Sequence, residues 1–284
     1  MTERLDAASR STSAAAGAAA RADRGPSLRA RAAQRILPAA FLLLLIVLWE
    51  IVAAIGDVPQ YILPAPTAIA ERLVRSWDTL WEATLITAGE VLAGFVIGVV
   101  LGIALAIPIA YSRIVRNTLY PLIVASQAVP KIAIAPLLVL WLGFDIWPKI
   151  AVTALMVFFP VTVTAAEGFS SVDRNLLDLL RSVSATPAQI FFRIRFPHAL
   201  PHIFSGLKVG ITLAVVGAVV GEWVGADAGL GYLLTYANTL LDSTLLFAAL
   251  FLLIVLGVVL FVIVDAAERL LLPWHRDDSV ALGG

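Results

Sequence analysis

Residues 171–208 read SVDRNLLDLLRSVSATPAQIFFRIRFPHALPHIFSGLK, and within them 171–202 form the one long polar interruption between strongly apolar stretches. The segment is written as two short helices rather than as loop. Ser171 or Asp173 is placed to cap the first, in which Leu176, Leu177, Leu180 and Val183 recur at helical spacing opposite Arg174, Asp178 and Arg181. Thr186-Pro187-Ala188-Gln189 opens the second with a capping-box pattern and a proline at the first helical position. Ile190, Phe191 and Ile194 lie on one side of it, Arg193 lies nearby, and Pro197 is expected to end it. A short helix with an apolar face needs cover, either from the chain's own helices or from a partner groove, and the pattern alone leaves both open.

The surroundings of this segment are membrane-like. Of 284 residues, 60% are hydrophobic and 14% charged, where soluble domains are about 45–50% apolar. Six stretches approach the roughly 20 apolar residues needed to cross a bilayer: 36–56, 80–111, 118–144, 147–168, 203–226 and 243–272. An all-α membrane protein of about six spans is expected. Between the first two spans, Pro-Ala-Pro-Thr opens a short amphipathic helix within 64–77, containing Ile69, Leu73 and Val74. Residues 1–35 hold seven arginines among alanine, serine and glycine, a composition expected to be disordered. The transmembrane domain then covers 36–274, and 275–284 form a short tail.

Arginine placement orients the spans. With the N-terminal tail in the cytoplasm, Arg113 and Arg116, then Arg174, Arg181, Arg193 and Arg195, and finally Arg269 and Arg276, all come out on the cytoplasmic side. Arg72, Arg75 and Lys149 fall outside. Both termini are therefore expected in the cytoplasm of a multi-pass inner-membrane protein. Flanking charge of this kind explains the arginines without nucleic acid, so no nucleic-acid partner is expected.

Several chemistries lose their basis in the composition. There is no cysteine, and the three histidines, His198, His202 and His275, do not suit a metal site. No Gly-x-x-x-x-Gly-Lys-[Ser/Thr] loop is present to cradle a nucleotide. Scattered single polar residues offer no catalytic constellation. No catalytic residue, metal or cofactor is assigned to the chain, and energy for any transport must come from elsewhere. Glycines recur every four residues at 94, 98 and 102, and again at 217, 221 and 225, a pattern for close helix packing within the chain, along a path or at a dimer seam. Prolines 108, 121, 130, 136 and 160 in or near spans suit broken transporter helices.

The run Asp178-Leu179-Leu180, three residues, Ser184, nine residues, Ile194, one residue, Phe196-Pro197 resembles the "EAA" signature of binding-protein-dependent ABC importer permeases, Glu-Ala-Ala-x3-Gly-x9-Ile-x-Leu-Pro. Spacing matches throughout; Asp178, Leu179, Leu180, Ser184 and Phe196 depart in identity. Gln127-Ala128-Val129-Pro130-Lys131 through Leu140-Trp141-Leu142-Gly143-Phe144 is similar to the nitrate/sulfonate/taurine branch, as are Leu63-Pro64-Ala65-Pro66 and Gly221-Glu222-Trp223-Val224-Gly225. The resemblance covers about residues 40–274 and implies a MetI-like fold with a cytoplasmic coupling-helix loop. It further implies a separate cytoplasmic ABC ATPase, an extracytoplasmic substrate-binding protein and a pair of permeases in lipid. Asp178, Ser184, Ala185, Thr186, Gln189, Arg193, Ile194 and Pro197 become the ATPase-coupling candidates.

Ionisable residues at membrane depth are pathway candidates because isolated charge there is costly. Glu90, Lys131, Lys208 and Glu222 qualify, with Gln127, Trp141 and Trp223 as polar or stacking neighbours. Lys131 and Glu222 lead, with Gln127. The branch carries small anions such as nitrate, sulfonates and taurine, and includes relatives specialised for pyrimidine or riboflavin-type vitamin precursors, toward which Ser184-Ala185-Thr186 leans. The rival reading is a secondary carrier driven by an ion gradient, which has no need of the helix pair at 171–202. A membrane-embedded enzyme or scaffold is a weaker rival, lacking the expected histidine or carboxylate clusters.

Overall fold

The computed structural model describes residues 28–55 and 59–273. Most of the tail expected to be disordered, residues 1–27, and the whole C-terminal tail, 275–284, lie outside the described residues. The described chain is helical and falls into two units. The first contains α1 (Leu28–Ile55), whose apolar run is Ala40–Ile55. Helix α1 starts inside the expected tail and covers the first expected span as far as Ile55.

The second unit holds the remaining helices. Amphipathic α2 (Pro66–Arg75) starts with Pro at its first helical position, as its sequence predicts. It buries Ile69 but leaves Val74 exposed, and Arg72 reaches Asp242 at 2.6 Å. Then come α3 (Trp77–Tyr111), α4 (Arg113–Ser126), a 3-10 turn (Lys131–Ile134), α5 (Ala135–Leu142) and α6 (Ile146–Ser170). They are followed by α7 (Arg174–Ser182), α8 (Pro187–Ile190), a π turn (Phe191–Arg195), α9 (Phe196–Gly225), α10 (Leu230–Thr239) and α11 (Ser243–Leu271).

Among the described residues, four helical stretches are long and apolar enough to cross a bilayer: α3, α6, the continuous run Pro187–Gly225, and α11. A bent pair makes five, against the six spans expected. The first expected span is the one missing from the five, its described apolar run Ala40–Ile55 falling short of a full crossing, and the expected third span is corrected to a bent pair. It breaks into α4 and the stretch Lys131–Leu142, which meet at 90°. Pro130 lacks an N–H to continue the helical ladder and biases Val129 away from helical geometry, while its own backbone is extended (ψ 94°).

Helix α6 is central. More than half of its apolar window is buried, against 28% for α3 and for α11. Gly94, Gly98 and Gly102 of one row and Gly217 and Gly221 of the other pack on it, while Gly225 meets Val139 of α5, which places both rows in seams within the subunit. A Cβ on Gly98 would stand 2.7 Å from the Ala154 carbonyl oxygen, and one on Gly217 would stand 2.7 Å from the Thr153 Cα. Each contact is backbone against backbone, so no side-chain rotation relieves it. Val91 of α3, Val157 and Val161 of α6, Ile211 and Ala214 of α9 and Leu256 of α11 close one apolar core.

Pro197 does not end the second short helix. The chain runs from α8 through the π turn into α9 without a break, and the Phe196 N–H bonds the Phe191 carbonyl five residues back. Widening one turn in this way lets a helix absorb the donor a proline lacks. The short helix and the fifth expected span are therefore one lever.

Candidate functional site

The α7–α8 segment is locked by local chemistry. Asp173, not Ser171, caps α7, accepting the Asn175 N–H at 2.8 Å; the Ser171 hydroxyl instead donates to the Gly168 carbonyl. At the other end the Ala185 N–H reaches the Leu180 carbonyl and the Ser184 N–H reaches that of Arg181, each at 3.0 Å. That pair of bonds is a Schellman motif, which requires a left-handed residue. Ser184 supplies it at φ 60°. A residue with a Cβ is costly there, which gives a physical reason for the glycine at the matching place in the EAA signature.

Two residues on, the predicted capping box is complete. The Gln189 N–H donates to the Thr186 hydroxyl at 3.3 Å, and the Thr186 N–H donates to the Gln189 side-chain oxygen at 2.8 Å. Val172, Leu177 and Ile190 form a small core with Leu180, Ala185 and Ile194 packed against it. Phe191 is turned toward the long helices, with ring centroids 5.6 Å from Phe169 and 6.2 Å from Tyr111. Part of the apolar surface thus packs on the chain itself. Leu176, Leu179, Val183 and Phe192 remain outside that core, the last three each more than 60% exposed. Asp178 pairs with Arg181 at 3.0 Å on the exposed side, and Arg193 is exposed as well.

A second cluster lies inside the helical bundle, where Glu90, Lys149 and Glu222 are all buried. Lys149 Nζ stands 3.1 Å from Glu90 Oε1, an ion-pair contact whose angles fall outside hydrogen-bond geometry. Glu222 is an electrostatic neighbour of Glu90 but is otherwise bonded. Its Oε1 accepts from the Thr87 hydroxyl at 2.6 Å, and its Oε2 accepts the N–H groups of Gly231 and Tyr232. The Thr87 oxygen in turn accepts the Leu230 N–H at 2.8 Å. A carboxylate therefore sits at the N-terminus of α10, where free amides and the helix dipole favour negative charge. One network fastens α3, α6, α9 and α10 together.

Sequence reasoning picked out Glu90 and Glu222 but assigned Lys149 to the outer surface. Lysine near a span end reads as a surface charge, and its partner Glu90 is 59 positions away in the chain. Thr87 went unmentioned because a threonine in a span carries no signal by itself. Lys208 is not isolated either: it bonds Asp265 at 2.7 Å and also Glu268. Gln127 and Lys131 lie together at the bend between α4 and α5. Lys131 Nζ is 3.4 Å from the Gln127 carbonyl oxygen and 5.1 Å from the centre of the Phe159 ring.

Apolar helices packed through glycine seams, a broken helix and a braced polar loop define a helical multi-pass membrane protein of the transport class. The family model for the binding-protein-dependent transport system inner membrane component matches residues 98–276, and the chain belongs to that family. It is 40% identical over 171 residues to the formylaminopyrimidine transport permease protein ThiX of Halalkalibacterium halodurans, an alignment covering 60% of this chain and 68% of that one. To the riboflavin transport system permease protein RibX of Chloroflexus aurantiacus it is 35% identical over 161 residues, covering 56% and 60%. The chain thus spans between three-fifths and about two-thirds of these relatives. More distant matches are named for aliphatic-sulfonate and taurine transport. The fold is also that of a chain in the inward-facing MetNI methionine ABC transporter, with a TM-score of 0.53 at 22% identity over 69% of this chain and 94% of that one.

Proposed function

We propose that this chain is the permease subunit of an ATP-driven importer, with the α7–α8 loop as its contact to a separate cytoplasmic ATPase. The observation that carries the reading is a loop braced from within by two caps and a core of its own, which still presents Leu179, Val183 and Phe192 to the outside. Apolar side chains on a rigid, polar-rimmed element suit a protein groove. Asp178, Thr186, Gln189 and Arg193 supply the polar rim, while Ser184, Ala185, Ile194 and Pro197 keep its shape. Because α8 continues into α9, movement of an ATPase holding the loop is passed directly to a spanning helix.

In this reading the loop and both termini face the cytoplasm, as the positive-inside rule requires. An extracytoplasmic binding protein delivers the solute, and two permeases enclose the path. Gln127 and Lys131 at the bend line it; Glu222 acts from behind, by holding α10. A pyrimidine or riboflavin-type vitamin precursor is the favoured cargo, because the relatives named for such solutes are 40% and 35% identical, against 31% and 29% for the sulfonate and taurine relatives.

The test is reconstitution in vesicles with the native ATPase and binding protein. Uptake that needs ATP and all components supports the proposal. Uptake by this chain alone, driven by an ion gradient, overturns it and selects the secondary carrier.

A further inference from the structure

Beside the α7–α8 loop, where α3 ends and α4 begins, lies a cleft of 410 Å³. That is within the roughly 300–1,000 Å³ of small-molecule sites. Arg113, Arg116, Arg174, Arg181 and Arg195 line it with one carboxylate, Asp178, which is already paired with Arg181. Glu167, bonded to the Tyr120 hydroxyl at 2.9 Å, and Asp173, engaged as the cap of α7, are not part of the lining. Five guanidinium groups against one carboxylate leave a strongly positive hollow. Arg195 is held in place, its guanidinium 4.6 Å over the Tyr111 ring and donating to the Phe169 carbonyl, while its Nε is buried without a partner.

Helix electrostatics adds an independent observation. Arg113 is the first residue of α4, whose N-cap is the neutral Ser112 and whose first turn holds no acid, whereas α7 already carries the Asp173 carboxylate as its cap. A cation at the α4 N-terminus opposes the dipole, so this placement costs stability in the empty state. An anion in the cleft reverses that term: it meets the start of α4 and the arginines together.

We propose that this cleft binds a phosphate-bearing anion, through charge-assisted contacts from Arg113, Arg116 and Arg174. Its position at the end of spanning α3 puts it at headgroup depth, so an acidic phospholipid is the source at highest local concentration; free phosphate presents the same chemistry. Occupancy joins the α3–α4 connection to α7 and so braces the loop that carries the exposed apolar residues. The site does not depend on which solute the protein carries, nor on the proposed ATPase contact.

The test uses the full chain in detergent with equimolar phosphatidylglycerol and phosphatidylcholine, with retained lipid counted by native mass spectrometry. Phosphatidylglycerol is expected to be retained preferentially, and the Arg113→Gln/Arg116→Gln variant to lose about 25-fold in affinity, at about fivefold per arginine. Arg113→Lys/Arg116→Lys keeps the charge and is expected to keep most of the binding, which separates loss of the site from loss of fold; Arg75→Gln serves as a distant control. Titrated inorganic phosphate distinguishes the sources: displacement of the lipid at millimolar phosphate assigns the site to free phosphate, and resistance assigns it to the headgroup. Equal retention of both lipids with no response to phosphate overturns the proposal. Loss of ATPase association in the glutamine variant without any anion binding also overturns it, and moves the arginines to a protein interface.

Discussion

The Thr87 hydroxyl donates to Glu222 and, through the same oxygen, accepts from the Leu230 amide, so one threonine on α3 joins the carboxylate of α9 to the first residue of α10. Its hydroxyl proton and one of its two lone pairs are used in this buried seam. Replacing Thr87 by Val keeps the shape and removes both bonds. Thermal unfolding in detergent should show a loss of about 1–2 kcal/mol, with Thr87→Ser close to wild type. A Val variant as stable as wild type contradicts the relay.

Lys149 is the ion-pair partner of buried Glu90, at 3.1 Å. Lys149→Met leaves Glu90 uncompensated and is expected to cost about 3–5 kcal/mol, whereas Lys149→Met combined with Glu90→Leu should recover most of it. Additive losses across this double-mutant cycle would show that the pair does not interact.

Ser184 holds a left-handed conformation that glycine adopts without strain. Ser184→Gly should stabilise the α7–α8 turn by about 1 kcal/mol, and Ser184→Val should destabilise it by more. Hydrogen exchange at the Ala185 amide reads this locally: slower in the Gly variant, faster in the Val variant.

The glycine seams predict a sharp contrast in tolerance. Gly98→Ala drives a methyl group to 2.7 Å from a backbone oxygen of α6, and should cost about 1–3 kcal/mol. Gly257→Ala, whose nearest atom would stand at 3.9 Å, should be silent by the same unfolding measurement.

Much of the loop was legible in the sequence because caps are local. Thr186 and Gln189 are three residues apart, and their pairing follows from spacing alone. Asp173 and Ser171 were both open as caps until geometry chose the aspartate. The role of Ser184 was visible only through the resemblance, since a serine says nothing about its own φ. Pro197 was misread as a stop because a π turn leaves no mark in residue pattern. The bend at Pro130 was hinted at by three prolines, 121, 130 and 136, but apolar content alone reads 118–144 as one span. Lys149 was lost for the opposite reason: its identity suggests a surface, and only the fold brings Glu90 to it. Local hydrogen bonding can be read along a chain, whereas a buried ion pair across two helices depends on a register that composition does not specify.

The central claim is that an ATPase covers the α7–α8 loop. Because the chain has no cysteine, Ala188→Cys and Arg75→Cys each introduce a single reactive thiol, one on the loop and one on α2. The decisive measurement is the maleimide labelling rate of both variants in open membranes, with and without the native ATPase. The account predicts that the ATPase slows labelling at A188C severalfold and leaves R75C unchanged; equal rates at A188C with and without the ATPase would contradict it.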